Sequence, residues 1–336
     1  MTVSVVRELD HERWSEFVQR HPRGNVFQTP HMYQVWLHTR HNTPFLLAAL
    51  DSDGRINGVL QGVVQKEYSG LLGAFTARAI VWGGPLVEDD DSLVTELLLR
   101  EYDRFVGKRA IYSQFRNLWP MDGAKQSLEN LGFQYEDHLD IHVDLAKSEE
   151  RLWKEVHSKR RNEIRRARKE GTVVEELTRK EQVREAYAIL RDVYRRARLP
   201  IHHWSLFETA FDVMGPQGMV HFFGAFFEGQ LIGTIVVFCF NGTVYDWYAG
   251  SRRDFYHKYP NDLLPWHVFL WAKEAGFTLF DFGGAGKPGK PYGVRDYKKK
   301  FGGELKDFGR FEKVHKRLLM RVGTLGFALW KRIKRT

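Results

Sequence analysis

Lysine ammonium groups beside aromatic rings at the end of a polar loop suit anionic substrates, and they can stabilise an oxyanion as it forms. Such a cluster closes the segment FDFGGAGKPGKPYGVRDYKKKFGG at 280–303: Arg295, Lys298, Lys299 and Lys300, bracketed by Tyr297 and Phe301. The glycines and two prolines between Phe282 and Tyr292 predict a long mobile loop, too polar for core. Asp281, at the end of the strand before it, is placed to orient the loop or a reacting amine. A second candidate is YDWYAG at 245–250, where Tyr245 and Tyr248 lie on a strand expected to line a cleft. The third is HSKRRNEIRRARKEG at 157–171, with seven Lys or Arg in fifteen positions.

That basic run reads as part of one helix over 152–170. Trp153, Val156, Ile164 and Ala167 recur at near-helical spacing, with Arg160 interrupting the row. Like charges fall at i,i+4 in Arg161–Arg165 and Arg165–Lys169, each mildly destabilising. An anionic partner explains uncompensated repulsion better than solubility does. Lys159, Arg160, Arg161, Arg165, Arg168 and Lys169 are therefore the expected RNA- or phosphate-binding residues.

The elements that must position these residues come as a repeated plan. FLLAALDSDGRINGVLQGVVQ at 45–65 and HFFGAFFEGQLIGTIVVFCF at 221–240 each read as a β-hairpin, with Gly54/Gly58 and Gly229/Gly233 at matching places. A third strand, a helix and a Gly-Phe step into another strand follow each hairpin, at Gly132 and Gly276. The order argues for an internal duplication of a mixed α/β unit of the acetyltransferase-like (GNAT) type. The expected modules are 1–145 and 146–310, joined near Ser148, a plausible N-cap followed by Glu149 and Glu150. Residues 311–336 are expected to form a basic amphipathic helix, whose 315–335 stretch could lie on an anionic membrane or pack back on the body.

Composition bounds the classes. The chain has 336 residues, a net charge of +9 and 43% hydrophobic content, which describes a well-packed protein favouring anionic partners. One cysteine, Cys239, in an apolar run, leaves no internal disulfide and no Cys-based zinc site. The scattered histidines lack zinc-binding spacing and no G-x-S-x-G elbow occurs, so no metal and no serine nucleophile is expected. The N-terminus builds no signal-peptide core and no apolar run is long enough to span a bilayer, so the cytoplasm is the expected compartment. A coenzyme A enzyme of this fold needs a Gly-rich pyrophosphate cradle. YAGSRRDFYHKYPNDLLPWHVF offers bulky residues there, and VWGGPLVEDDD carries three aspartates, so no cofactor is expected.

NVFQTPHMYQVW, SKRRNEIRRARKEG, AYAILRDVYRRARLP and, most specifically, PNDLLPWHVFLWAKEAGFTLFDFGG followed by DYKKKFGG resemble the Fem-type (FemAB) peptidoglycan-bridge aminoacyltransferases. The resemblance covers nearly the whole chain. It implies two tandem GNAT-like modules and transfer of an amino acid from aminoacyl-tRNA to an amine of a cell-envelope precursor. It maps the family's oxyanion lysine to Lys298, a precursor-phosphate arginine to Arg195 or Arg196, and a strand tyrosine to Tyr245 or Tyr248. One position departs: where phosphate-binding members carry a lysine eight residues past the Gln of the F-Q-T-P motif, this chain has Trp36. A coenzyme A-dependent N-acyltransferase, or a non-catalytic protein binding nucleic acid or membrane, is the alternative.

Overall fold

The computed structural model describes residues 3–67, 73 and 75–320. Among the described residues there are fifteen strands: β1 (Ser4–Val6), β2 (Asn42–Leu50), β3 (Ile56–Gln65), β4 (Arg78–Trp82), β5 (Leu86–Val87), β6 (Tyr112–Arg116), β7 (Gln134–Glu136), β8 (Leu139–Asp144), β9 (Val173–Glu176), β10 (Val220–Phe227), β11 (Gln230–Phe240), β12 (Thr243–Ser251), β13 (Leu279–Asp281), β14 (Glu304–Asp307) and β15 (Arg310–Val314). They form two sheets. The first runs β1-β2-β3-β4-β6-β15-β7, with β5 on β3; the second, read from its far edge, runs β9-β10-β11-β12-β13-β8-β14.

Position by position the sheets match, down to a single parallel pair in each, β4 with β6 and β12 with β13. The duplication is therefore present, and the repeated glycines explain part of it. Gly54 and Gly229 take left-handed φ of 77° and 76° in the hairpin turns. A Cβ on Gly58 would meet Leu98 and Val94, and one on Gly233 would meet Pro260 and Leu264. In each unit the bare backbone lets the core helix, Ser92–Gly107 or Pro260–Glu274, lie against the return strand.

The Gly-Phe steps are not equivalent to one another. Gly276 leads into β13 at the centre of its sheet, whereas Gly132 leads into β7 at an edge. The counterpart of Pro260–Glu274 is Ser92–Gly107, followed by β6. Helix-stop chemistry is local and says nothing of which strand comes next.

The units also exchange strands. Strand β8, expected to end the first module, pairs with β13 and β14 in the second sheet. Strand β15, expected at the end of the second module and the start of the terminal helix, pairs with β6 and β7 in the first. Among the described residues the compact units are accordingly those up to 137 together with those from 308 on, and 138–307, in place of a division at 145 and 310. In the first unit β15 is fastened by Lys313 Nζ on Asp103 at 2.6 Å. His315 adds Nε2 on Ser113 Oγ at 2.5 Å and Nδ1 at 3.8 Å from Asp103. That Ser–His–Asp row resembles a hydrolase triad, but Ser113 is wholly buried, so it works as a fastening. Of the expected terminal helix, 321–336 lies outside the described residues. No helix among the described residues is long and apolar enough to cross a membrane.

The F-Q-T-P motif of the first unit is structural. Gln28 is fully buried, donates to the Gln61 and Trp82 carbonyls at 3.0 and 2.8 Å, and accepts from Gln61 N at 2.8 Å. Asn25 donates to Gly83 O at 2.7 Å. These amides occupy the end of β4, the place where the second unit opens. Trp36 is core, stacked on Trp82 at 5.5 Å between ring centroids.

Candidate active site

In the second unit β12 and β13 pair in parallel over three residues, ending at Tyr245 opposite Asp281. β12 then continues to Ser251 while the chain after Asp281 turns into the segment 282–292. Such a split between parallel strands opens a crevice at their carboxyl ends, the usual ligand site of an α/β sheet.

Lys298 reaches this place from the short helix Gly293–Lys298. Its Nζ donates to Phe282 O at 2.5 Å and to Gly284 O at 3.2 Å, and lies 3.5 Å from Gly283 O. The flanking aromatics hold it there. Phe301 is buried against Phe269 and Phe282. The Tyr297 hydroxyl donates to Asn261 O at 2.5 Å. Lys299 is exposed. The glycine segment is also tied down: Arg295 donates to the carbonyls of Ala285, Lys287 and Lys290. One guanidinium satisfying three carbonyls makes the expected mobile loop a strapped one.

A cluster of acids surrounds the lysine. Asp281 is buried, accepts from Gly283 N at 2.7 Å, and lies 3.6 Å from His142 Nε2. Burial pushes its carboxyl up, but His142, a hydrogen bond from Asp140 and the Gly283 N–H outweigh that and hold it below the ordinary range. Asp140 goes the other way: burial and the neighbouring Asp281 charge push it well up, so the pair shares one proton. Asp140, His142 and Asp281 bring metal-type donor atoms within 4.8 Å of one another. The shared proton and the nearby Lys298 charge account for the carboxylates without an ion.

Asp246 was not singled out by the sequence. A β-bulge puts it in place: pairing of β12 with β11 passes from Tyr248 opposite Val236 to Asp246 opposite Val237, skipping Trp247. Gly283 lies beside it: a Cβ there would be in van der Waals contact, 3.6 Å, with the Asp246 backbone carbonyl oxygen. The Asp246 carboxyl is pushed up to about 6 by burial, with Lys298 pulling it down and Asp281 pushing it further up.

Tyr245 and Tyr248 are both buried rather than lining an open cleft. Tyr248 packs on Tyr194 and Phe207 at 5.3 and 5.0 Å. Arg195 is exposed and paired with Asp192 at 3.1 Å, and Arg196 is exposed near Ser251 O.

The basic run is two helices, Glu149–Glu155 and Ser158–Lys169, because His157 caps the second: its Nδ1 accepts from Lys159 N at 3.3 Å. Ser148 caps the first as expected. Lys159, Arg165, Arg168 and Lys169 face solvent, and Arg161 is half-buried, donating to Trp153 O at 3.2 Å. Arg160 is the exception. It points inward, pairs with Asp262 and, at 3.0 Å, with Glu163, and stacks over Tyr297 at 5.0 Å. A guanidinium bound by two carboxylates is not available to phosphate.

This architecture defines the class: tandem modules of the GNAT acyltransferase fold. Residues 158–299 match the acetyltransferase (GNAT) domain family. In structure the chain is similar to FemX, with a TM-score of 0.74 and 17% identity over 96% of this chain and 99% of that one. It is similar to L-PGS from Bacillus licheniformis (TM-score 0.58, 17% identity, 96% and 97% coverage). A tandem GNAT protein from the clavulanic acid biosynthesis pathway also matches (TM-score 0.56, 12% identity, 94% and 99% coverage). At these identities the likeness establishes the fold, which is the one the sequence resemblance implied. No curated protein matches the chain in sequence.

Proposed function

We propose that the second unit transfers an aminoacyl group, carried as an ester on tRNA, to an amine of an anionic cell-envelope precursor at the cytoplasmic face. The observation that carries this reading is the Lys298 ammonium, fixed by the Phe282 and Gly284 carbonyls where β12 and β13 part. Two N–H groups are spent on those carbonyls. The third makes only the long 3.5 Å contact to Gly283 O and can turn from it to the oxygen of an ester carbonyl, which becomes an oxyanion as the amine attacks. Asp281 acts at one remove: it pins Gly283, and so the turn whose carbonyls hold Lys298.

Charge supports the partners. The exposed Lys159, Arg165, Arg168 and Lys169 form a cationic face suited to RNA phosphates. Arg195 and Arg196 are exposed at the end of the helix Lys180–Ala197, suited to precursor phosphates. Likeness to proteins named FemX and L-PGS favours an aminoacyl group and an envelope acceptor.

The start of the helix Pro260–Glu274 disfavours a coenzyme A donor. Its first residue, Pro260, has no N–H to offer, and buried Asp262 puts a carboxylate in the first turn. The test offers the purified chain mixed aminoacyl-tRNA or acetyl-coenzyme A together with amine-bearing envelope precursors. Transfer from the tRNA ester is the expected result. Saturable acetyl-coenzyme A binding with turnover from it would overturn the donor assignment.

A further inference from the structure

The transfer reading leaves one chemical requirement unmet. The acceptor reaches the site as an ammonium ion and must lose a proton to attack, so the crevice needs a base. Lys298 is committed as a cation, and the Asp140–Asp281 pair holds its proton between its own members. His142 is engaged with Asp281.

Asp246 meets the requirement on geometry. It lies one residue past the point where β12 and β13 stop pairing, on the bulge that turns its side chain, and against Gly283 of the turn that holds Lys298. It is half-buried, and no described residue donates a hydrogen bond or ion pair to its carboxylate. A half-buried carboxylate given no donor by the protein is costly to ionise and gains from a ligand that supplies one. An ammonium supplies it.

We infer that Asp246 receives the acceptor's ammonium group and acts as the general base of the transfer. This rests on the transfer reading. The ammonium first pairs with the carboxylate and gives up one proton through it to solvent, which frees the nitrogen lone pair; a second proton leaves nitrogen later. As the N–C bond forms at the ester carbonyl, the proton leaving nitrogen passes to Asp246. The tetrahedral oxyanion faces Lys298, and it collapses with cleavage of the C–O bond to the tRNA ribose. The proton on Asp246 goes to that ribose oxygen, so an ammonium and an ester become an amide and a free tRNA hydroxyl, with one proton released to solvent in all. The groups facing Asp246 are Lys298 and Tyr297 from the short helix, Asp281 from β13 and Tyr194 from the helix Lys180–Ala197, with Tyr292 of the glycine segment beside Tyr194. Against this background the raised carboxyl, at about 6, suits a base working near neutrality.

The test compares wild type, Asp246→Asn, Asp246→Glu and Lys298→Met in single-turnover transfer from aminoacyl-tRNA across pH 5 to 9, with folding followed by circular dichroism. Asp246→Asn should lose roughly 100- to 10,000-fold in rate and the acidic limb near pH 6, with Asp246→Glu partly restoring both. Asp246→Asn transferring within threefold of wild type with its acidic limb intact overturns the inference while Lys298→Met still tests the transfer reading. A raised KM with unchanged kcat overturns the base role and leaves ammonium binding. No transfer by folded wild type from any aminoacyl-tRNA overturns both.

Discussion

Asp246→Asn should make the protein more stable, and by an amount that depends on pH. Below about pH 3 the residue is neutral whether the chain is folded or not. As pH rises the unfolded chain loses its proton first, from 3.8, while the native carboxyl holds its own to about 6, so wild-type stability falls across that window. At 1.36 kcal/mol per unit, the cost reaches about 1 to 2 kcal/mol at pH 5 and levels off at about 3 kcal/mol by pH 8. Asparagine has nearly the same shape and no charge, so it escapes the cost. For a unit of this size each kcal/mol is worth roughly 2 to 4 °C in melting temperature. Thermal melts of the variant against wild type should therefore show several degrees of stabilisation at pH 8, shrinking toward pH 5. Equal melting temperatures at pH 8, or a variant less stable at every pH, would refute the claim that the half-buried carboxylate has no donor.

Two further perturbations separate structural from functional cations on the basic helix. Arg160→Met should destabilise by about 3 to 5 kcal/mol in urea melts, because Asp262 keeps a buried charge without its partner, and adding Asp262→Asn should recover most of the loss. Reversing Lys159, Arg168 and Lys169 to Glu should leave melting nearly unchanged, since these side chains are exposed, while lowering both tRNA affinity and the steepness of its salt dependence; unchanged binding would place the RNA elsewhere.

The hairpins, their turn glycines and the duplication were legible because each rests on local rules: alternation, left-handed turns and helix stops. Lys298 was legible for a related reason, since the spacing Tyr297–Lys298–Phe301 lets two buried or bonded aromatics anchor the lysine between them. The strand exchange was not. β8 and β15 carry ordinary strand patterns, and which sheet each joins is decided by pairing with residues far away in sequence. Asp246 was hidden by a bulge, which no alternation rule marks. Arg160 looked like one more surface cation, since only the fold brings Asp262 to it from a hundred residues on. Trp36, at the position where the family resemblance would put a lysine, is part of the core.

The most direct measurement is single-turnover transfer of an aminoacyl group from charged tRNA to an envelope amine by wild type and by Lys298→Met, under saturating substrate. With the oxyanion's donor gone and the anchors Tyr297 and Phe301 intact, the rate should fall by about 100- to 1,000-fold while tRNA binding holds. A Lys298→Met enzyme turning over at the wild-type rate would contradict the account at its centre.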